Sequence, residues 1–484
     1  MKRLFNKYYN FIVVFLCLLI LIAIFDKGLA MGLIVLAFSM GITLFSAYKL
    51  KIESKALILL ILVVLAVHLG AVLFIHYFNF QPFSGGAGGY KTCHLIATKI
   101  AENFKQGNFS FQGVPYYEIG DHVYCYYPLI IGVLYTITMP EMIIGQIFQV
   151  WLAILGVIFV YLTAKELGVS RKWALIIGLI AGLYPSYLFY GSLLLKDGLV
   201  AVLSLAGLLF SLKMIKKFSW KNFVIFYIIL AALFNFRFYI GYALFFTFIF
   251  SWFFLLNLNL KKKIIYSIII IPLLGFLPEI LLGHGFLGIN VFQSSFSEET
   301  ISYYQQEAYR PPDQVYPEVP GSTSSSVSST PSTSSASSIS LNIPEGYTST
   351  WDRESVSFKE NPYKFIIDYL KYFSYILLGP FPWQLKKLTH YLVLLETIPW
   401  YILFLFIIKG IYQSIRNRNK LVLPIILFSL LALGVITIFI NNFGIITRIR
   451  IPAFIVLLCL IPLGYTKLKN KELNSFGQDY EQSH

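Results

Sequence analysis

Six charged residues stand in stretches that are otherwise almost wholly apolar. Lys196 and Asp197 follow the uncharged run Ser192-Leu193-Leu194-Leu195, Arg237 interrupts NFRFYIGY, Glu279 lies near the end of another apolar run, and Arg448 and Arg450 sit in NNFGIITRIRIPAF. Placing such a charge in a bilayer costs roughly 3 kcal/mol on insertion scales, so each needs a reason to be there. Guanidinium groups are permanently charged, bidentate donors, and they suit phosphate or pyrophosphate. Arg237, Arg448, Arg450 and Lys196 are therefore candidate substrate-binding residues. Snorkelling is the alternative for Arg237, and lipid headgroup contact for the Arg448/Arg450 pair. On a helix those two side chains, at i and i+2, diverge, whereas on an extended segment they share a side. Asp197 opens an apolar run, so it reads either as a helix cap or as a catalytic carboxylate.

A second group lies between apolar runs. Glu102, Glu118 and Asp121, with His94 and His122 nearby, occupy one long polar loop. A carboxylate facing the membrane from such a loop can act as general base toward an acceptor hydroxyl. Asp121 is the first candidate, with Glu118 as its substitute. His94 and His122 with Asp121 offer a weak set of ligands for a divalent metal, since their spacing matches no helical or CxxC pattern. No other cofactor is implied. Each of these residues also reads as an ordinary solvated loop side chain. Cys93 and Cys125 share the loop and are candidates for a disulfide or for two free thiols. Asn108-Phe109-Ser110 is a glycosylation sequon.

The elements that carry these residues follow from composition. The 484 residues are 57% hydrophobic and 13% charged, with mean hydropathy +0.71. Soluble domains carry roughly 25% charge. Apolar runs fall at about 9–25, 29–48, 56–77, 141–164, 173–190, 198–213, 222–235, 239–257, 264–283, 390–412, 421–440 and 451–466. A spanning helix needs about 20 such residues. Met1-Lys2-Arg3 ahead of Phe11–Phe25 resembles a signal peptide without a small-residue cleavage site, and reads as an uncleaved first span.

The net charge of +15 does not indicate nucleic acid. With a cytoplasmic N-terminus, 23 of the 38 basic residues fall in short inner segments. That is the positive-inside pattern, and it puts both termini in the cytoplasm of a plasma-membrane protein. An all-α chain of about twelve transmembrane helices results. Residues 1–55 hold two helices. Residues 56–283 form a core with a first outer loop at 78–140. Residues 284–389 form a second outer loop, and 390–484 hold the last helices and a cytoplasmic tail. Residues 91–105 and 364–373 each have an apolar and a polar helical face and predict amphipathic helices on the membrane surface. Pro128–Ile137 is apolar but too short to span. The serine-rich tract 321–340 predicts disorder. Residues 379–384, Gly-Pro-Phe-Pro-Trp-Gln, predict a rigid aromatic turn.

Residues 56–465 resemble the polytopic glycosyltransferases of the GT-C fold, the class of protein mannosyltransferases and aminoarabinose transferases. The resemblance lies in HLIATKIAENFKQG followed by YYPLIIGVLY, and in AKELGVSRKWALIIGLIAGLYPSYLFYGSLLLKDGL. The stretches LLGPFPWQ, LLETIPWYILF and NNFGIITRIRIPAF are similar to membrane proteins placed beside that class. The resemblance implies a polyprenyl-phosphate sugar donor, a glycan, lipid or protein acceptor at the outer face, and a carboxylate early in the first outer loop. This chain has none from Ser84 to His94, where it reads SGGAGGYKTCH. The two extra N-terminal spans also depart from the simplest version of that fold. A polysaccharide polymerase or ligase acting on lipid-pyrophosphate glycans is a second expectation. A non-enzymatic lipid or sugar flippase, or a scaffold, is a third.

Overall fold

The computed structural model describes residues 17–50, 52, 54–80, 87–109, 118–119, 122–123, 126–255, 261, 264–265, 268, 289–301, 361–385, 388–440 and 443–465. Asp121, Cys125, Glu279 and the serine tract 321–340 lie outside them, as does most of the run 264–283. Among the described residues, seven helices are long and apolar enough to cross a membrane, so the chain is an all-α integral membrane protein. In chain order the helices are α1 (Lys27–Lys49), α2 (Lys55–Phe78), α3 (Ala87–Lys105), α4 (Tyr126–Ile137), α5 (Met142–Glu166), α6 (Arg171–Gly182), α7 (Pro185–Tyr190), α8 (Lys196–Lys216) and α9 (Trp220–Leu255). They continue with α10 (Ile289–Ser295), α11 (Pro362–Leu378), α12 (Leu394–Arg416), α13 (Leu423–Phe439), α14 (Phe443–Ile449) and α15 (Ile451–Leu458). A two-stranded ribbon, β1 (Glu118–Ile119) with β2 (His122–Val123), pairs Glu118 with Val123 and Ile119 with His122.

Helices α5 and α8 form the centre. Each buries most of its residues, and they pack on each other. Helices α1 and α2 lean on α5 from one side. Helix α9 packs on α8 and α13 on the other, and α13 packs on α15. The apolar side chains that face outward from α1, α2 and α12, such as Phe38, Leu59 and Leu405, are those a bilayer would cover.

Helix α9 folds back on itself at Arg237. Arg237 alone has extended dihedrals (φ −155°, ψ 88°) inside it. The Phe226 and Phe248 rings lie 4.7 Å apart, and Phe218 meets Trp252 at 5.4 Å. A straight helix would separate residues 226 and 248 by about 33 Å. Two antiparallel limbs result, matching the predicted runs 222–235 and 239–257, with Arg237 at the tip.

The predicted run 173–190 is not one helix. It breaks between α6 and α7 because Tyr184 precedes Pro185 and is driven to extended dihedrals, while Pro185 starts the next helix. The Gly182 carbonyl freed by the break accepts from His68 Nε2 at 2.9 Å, which ties α2 to the interruption. The run 451–466 is also shorter than expected, being α15 followed by a 3-10 turn at Ile461–Gly464. The amphipathic segments are helical as predicted, but α3 turns its buried face (Ile96, Ala97, Ile100) onto α4 and leaves Leu95 exposed. In α11, Tyr372 and Ile376 are buried, and Ile366, Ile367 and Leu370 face outward. In the aromatic turn, the Phe381 and Trp383 rings stack at 4.8 Å, and Gln384 Oε1 accepts from the Phe381 backbone at 2.8 Å.

Two packing details carry predictions. Gly410 of α12 lies against the Leu460 carbonyl: a Cβ there would come within 2.0 Å of that oxygen. Backbone cannot yield as a side chain does. Gly410→Ala is therefore expected to cost about 3 kcal/mol, read as a fall in the thermal transition of the detergent-purified chain. Asp26 caps α1 through the Leu29 N–H at 2.8 Å and accepts from Tyr77 at 2.5 Å, joining α1 to α2. Burial raises the Asp26 pKa, but the bonds from Tyr77 and from the Leu29 and Gly28 backbone outweigh it and hold the carboxyl below its usual value. A depressed carboxylate contributes stability above the ordinary pKa near 4, and that contribution is lost as pH falls through the lowered value. Tyr77→Phe should cost about 1 kcal/mol at neutral pH and flatten the loss as pH falls below the ordinary carboxylate pKa near 4, as thermal melts at acid pH would show.

Candidate functional site

The costly charges converge at one end of the bundle. Asp197 enters in the first turn of α8, where a carboxylate suits the helix dipole. Its position is set from α5. Gln149 Nε2 donates to the Leu195 carbonyl just before the helix and to the Tyr127 hydroxyl, and Gly198 gives Gln149 room to approach. Arg237, at the tip of the α9 hairpin, donates through Nη2 to Asp197 Oδ1 and through Nη1 to Tyr239. Arg448, in the last turn of α14, brings Nε to 3.0 Å from Asp197 Oδ2 without being aligned to donate. Asp197 is thus a buried carboxylate held between two arginines. Lys196 stands beside it, half-buried.

A second cluster adjoins the first. Glu396, in the first turn of α12, accepts from Arg450 Nη2 at 2.9 Å, from Tyr184 at 2.8 Å and from Ser186. Arg450 is 1% exposed. Its Nη1 also donates to the Ile376 and Gly379 carbonyls at 3.0 and 2.6 Å, so it closes the end of α11 as a cation should. Its guanidinium lies 4.5 Å from the Phe454 ring centroid, and the Trp400 ring stacks on Phe454 at 3.7 Å. Tyr190 stands between the clusters. Its hydroxyl lies 3.0 Å from Thr447 Oγ1, and it donates to the Gly444 carbonyl. The segment 443–450 is helical, so Arg448 and Arg450 diverge, one to each carboxylate.

Among the described residues, four cations (Lys196, Arg237, Arg448 and Arg450) gather here with two carboxylates (Asp197 and Glu396). That surplus of positive charge, with low-dielectric walls, favours an anion. The two buried carboxylates do different work from a general base. Asp197 is fixed by Arg237 and Arg448 and Glu396 by Arg450, so each serves as an anchor for its arginines.

The structure brings together Lys196, Asp197, Arg237, Arg448 and Arg450, all predicted to share a face. Glu396 was not among the predicted residues, although it met the same criterion, a lone acid at the start of an apolar run. The first-loop candidates are not joined to this cluster by any described contact. His94 Nδ1 lies 3.0 Å from the Tyr135 hydroxyl, and burial pushes its imidazole below the usual pKa, so it is neutral at pH 7. Glu118 and His122 sit on the β1–β2 ribbon. Cys93 is buried on α3, and its proposed partner Cys125 lies outside the described residues. Among the described residues, no three His, Cys, Asp or Glu side chains group as metal ligands.

Two further polar contacts join helix ends. Asp26 meets Tyr77, and Glu166 pairs with Lys216 at 2.9 Å. No protein-family profile matches this chain, and no curated protein matches its sequence.

Proposed function

We propose that this chain is a twelve-span, GT-C-like membrane glycosyltransferase that moves a sugar from a polyprenyl-phosphate carrier to a glycan, lipid or protein acceptor at the outer membrane face. The observation that carries the reading is the surplus of buried and half-buried cations around Asp197 and Glu396 at one end of the bundle. Arg448 is the arginine best placed to take the carrier phosphate. Its side chain is 16% exposed, against 8% for Arg237, and its Nε has no aligned acceptor. Arg237 supplies the second guanidinium, oriented by Asp197 and Tyr239. Guanidinium groups fixed in advance in a water-poor site stabilise the charge that builds on a leaving phosphate. Asp121 is assigned the general base toward the acceptor hydroxyl, with Glu118 as the substitute, because Asp197 is committed to its arginines.

The charged side chains of the described cluster come from residues 196–450, none of them in the first loop. That favours, as a second reading, a polymerase or ligase acting on lipid-pyrophosphate glycans. Purified full-length chain offered polyprenyl-phosphate and polyprenyl-pyrophosphate sugars separates the two. The first reading expects turnover of the monophosphate donor that Asp121→Ala abolishes. The second expects turnover of the pyrophosphate donor that Asp121→Ala leaves intact. Absence of both turnover and carrier binding across the donor panel would remove the transferase reading.

A further inference from the structure

The end of the bundle opposite the arginine cluster holds a second charged feature. Helix α8 ends in Lys213, Lys216 and Lys217, and α9 begins three residues later at Trp220. Between them lies an open cavity of about 300 Å³, lined by those three lysines with Glu166, Ser219 and Asn222. Lys216 is engaged: its Nζ donates to the Glu166 carboxylate at 2.9 Å and to the Glu166 carbonyl at 2.6 Å. Among the described residues, Glu166 is the only carboxylate lining the cavity, and it pairs with one lysine of the three. The first N–H groups of α9 have no helical acceptor and add partial positive charge. Lysines at the end of α8 also suit its dipole, but that role alone does not require three of them around one cavity.

The depth of the cavity is marked by aromatic rings. Trp220 is 59% exposed and packs edge-on against Phe218 and Phe223 at 5.3 and 5.7 Å. Exposed tryptophan beside lysine at the end of a spanning helix marks the headgroup layer. The cavity volume suits a glycerophosphate headgroup, and the exposed Trp220 and Val224 leave apolar surface beside it for an acyl chain.

We infer that this cavity is a binding site for the phosphate headgroup of an anionic glycerolipid, held by Lys213 and Lys217, with Glu166 as an internal counter-charge that restrains Lys216. The inference needs the chain to span a membrane and is independent of the transferase reading.

The test uses the full-length chain in phosphatidylcholine nanodiscs titrated with phosphatidylglycerol, with retained lipid read by native mass spectrometry. Wild type should retain phosphatidylglycerol over phosphatidylcholine. A lysine near a membrane surface is worth about fivefold, so Lys213→Gln with Lys217→Gln should weaken retention roughly 25-fold. Lys217→Gln alone, at an exposed position, should weaken it about fivefold should the double variant fail to fold. Glu166→Gln should tighten binding about fivefold by freeing Lys216, an outcome that loss of a structural ion pair would not give. Lys172→Gln, exposed and outside the cavity, should change nothing. Equal retention by the lysine variants, or weaker retention in Glu166→Gln, would overturn the inference. Complete displacement of the lipid by millimolar inorganic phosphate would overturn the lipid assignment and give the cavity to the free ion.

Discussion

Arg450→Leu is expected to destabilise the folded chain by about 3–5 kcal/mol, the largest loss of any single substitution at the arginine cluster. The change strands the Glu396 carboxylate, which is 4% exposed, with only the Tyr184 and Ser186 hydroxyls as partners. It also removes the donor to the Ile376 and Gly379 carbonyls. Breaking a buried ion pair costs more than replacing it, because an uncompensated charge remains. Arg450→Leu with Glu396→Leu should therefore recover a large part of the loss, though not the two carbonyl bonds. Thermal transitions of the detergent-purified variants measure this directly. A double variant no more stable than Arg450→Leu would show that the pair is not what holds α11, α12 and α15 together.

The second large effect concerns turnover. Arg448→Gln and Arg237→Gln are each expected to lower kcat/KM for the lipid-phosphate donor by about 10²- to 10³-fold, the usual cost of removing one fixed donor from developing negative charge. Arg448→Lys keeps the charge and loses the planar fork, so it should recover only part. The two arginines should differ in stability. Arg237 shares a buried bond with Asp197, so its loss should also lower the thermal transition, whereas the more exposed Arg448 should show its effect mainly in turnover. Variants that lose stability in proportion to activity would point to a cluster that only holds helices together.

The arginine cluster was legible in the sequence because charge in an oily chain is rare and easy to see. Lys196, Asp197, Arg237, Arg448 and Arg450 were found by type and by position at helix ends alone. Pairing was not legible. Whether Arg448 and Arg450 share a target depends on the backbone of residues 443–450, and short apolar segments next to a proline do not declare helix or extended chain. Glu396 was missed for a related reason: it opens a strongly apolar run, and only the packing of α7 and α15 against α12 makes it a partner. The break at Pro185 was hidden because both pieces are apolar, although the proline and its extended predecessor are local signals. The hairpin at Arg237 was visible as an interruption, but its sharpness comes from packing between Phe226 and Phe248.

The arrangement also explains why the site residues occupy helix ends. Asp197 and Glu396 lie in first turns, where the dipole favours a carboxylate, and Arg448 lies in a last turn, where it favours a cation. Each charge is thus partly stabilised by its own helix before it meets its partner. On the proposed function, Arg448 and Arg237 turn the rest of their charge toward the carrier phosphate.

Electron cryo-microscopy of the full-length chain in nanodiscs containing polyprenyl phosphate tests the central claim most directly. The account predicts phosphate density within hydrogen-bonding distance of Arg448 and Arg237, with Asp197 still joined to Arg237. Carrier phosphate bound at a different place, with Asp197 still closed between both arginines, would contradict it.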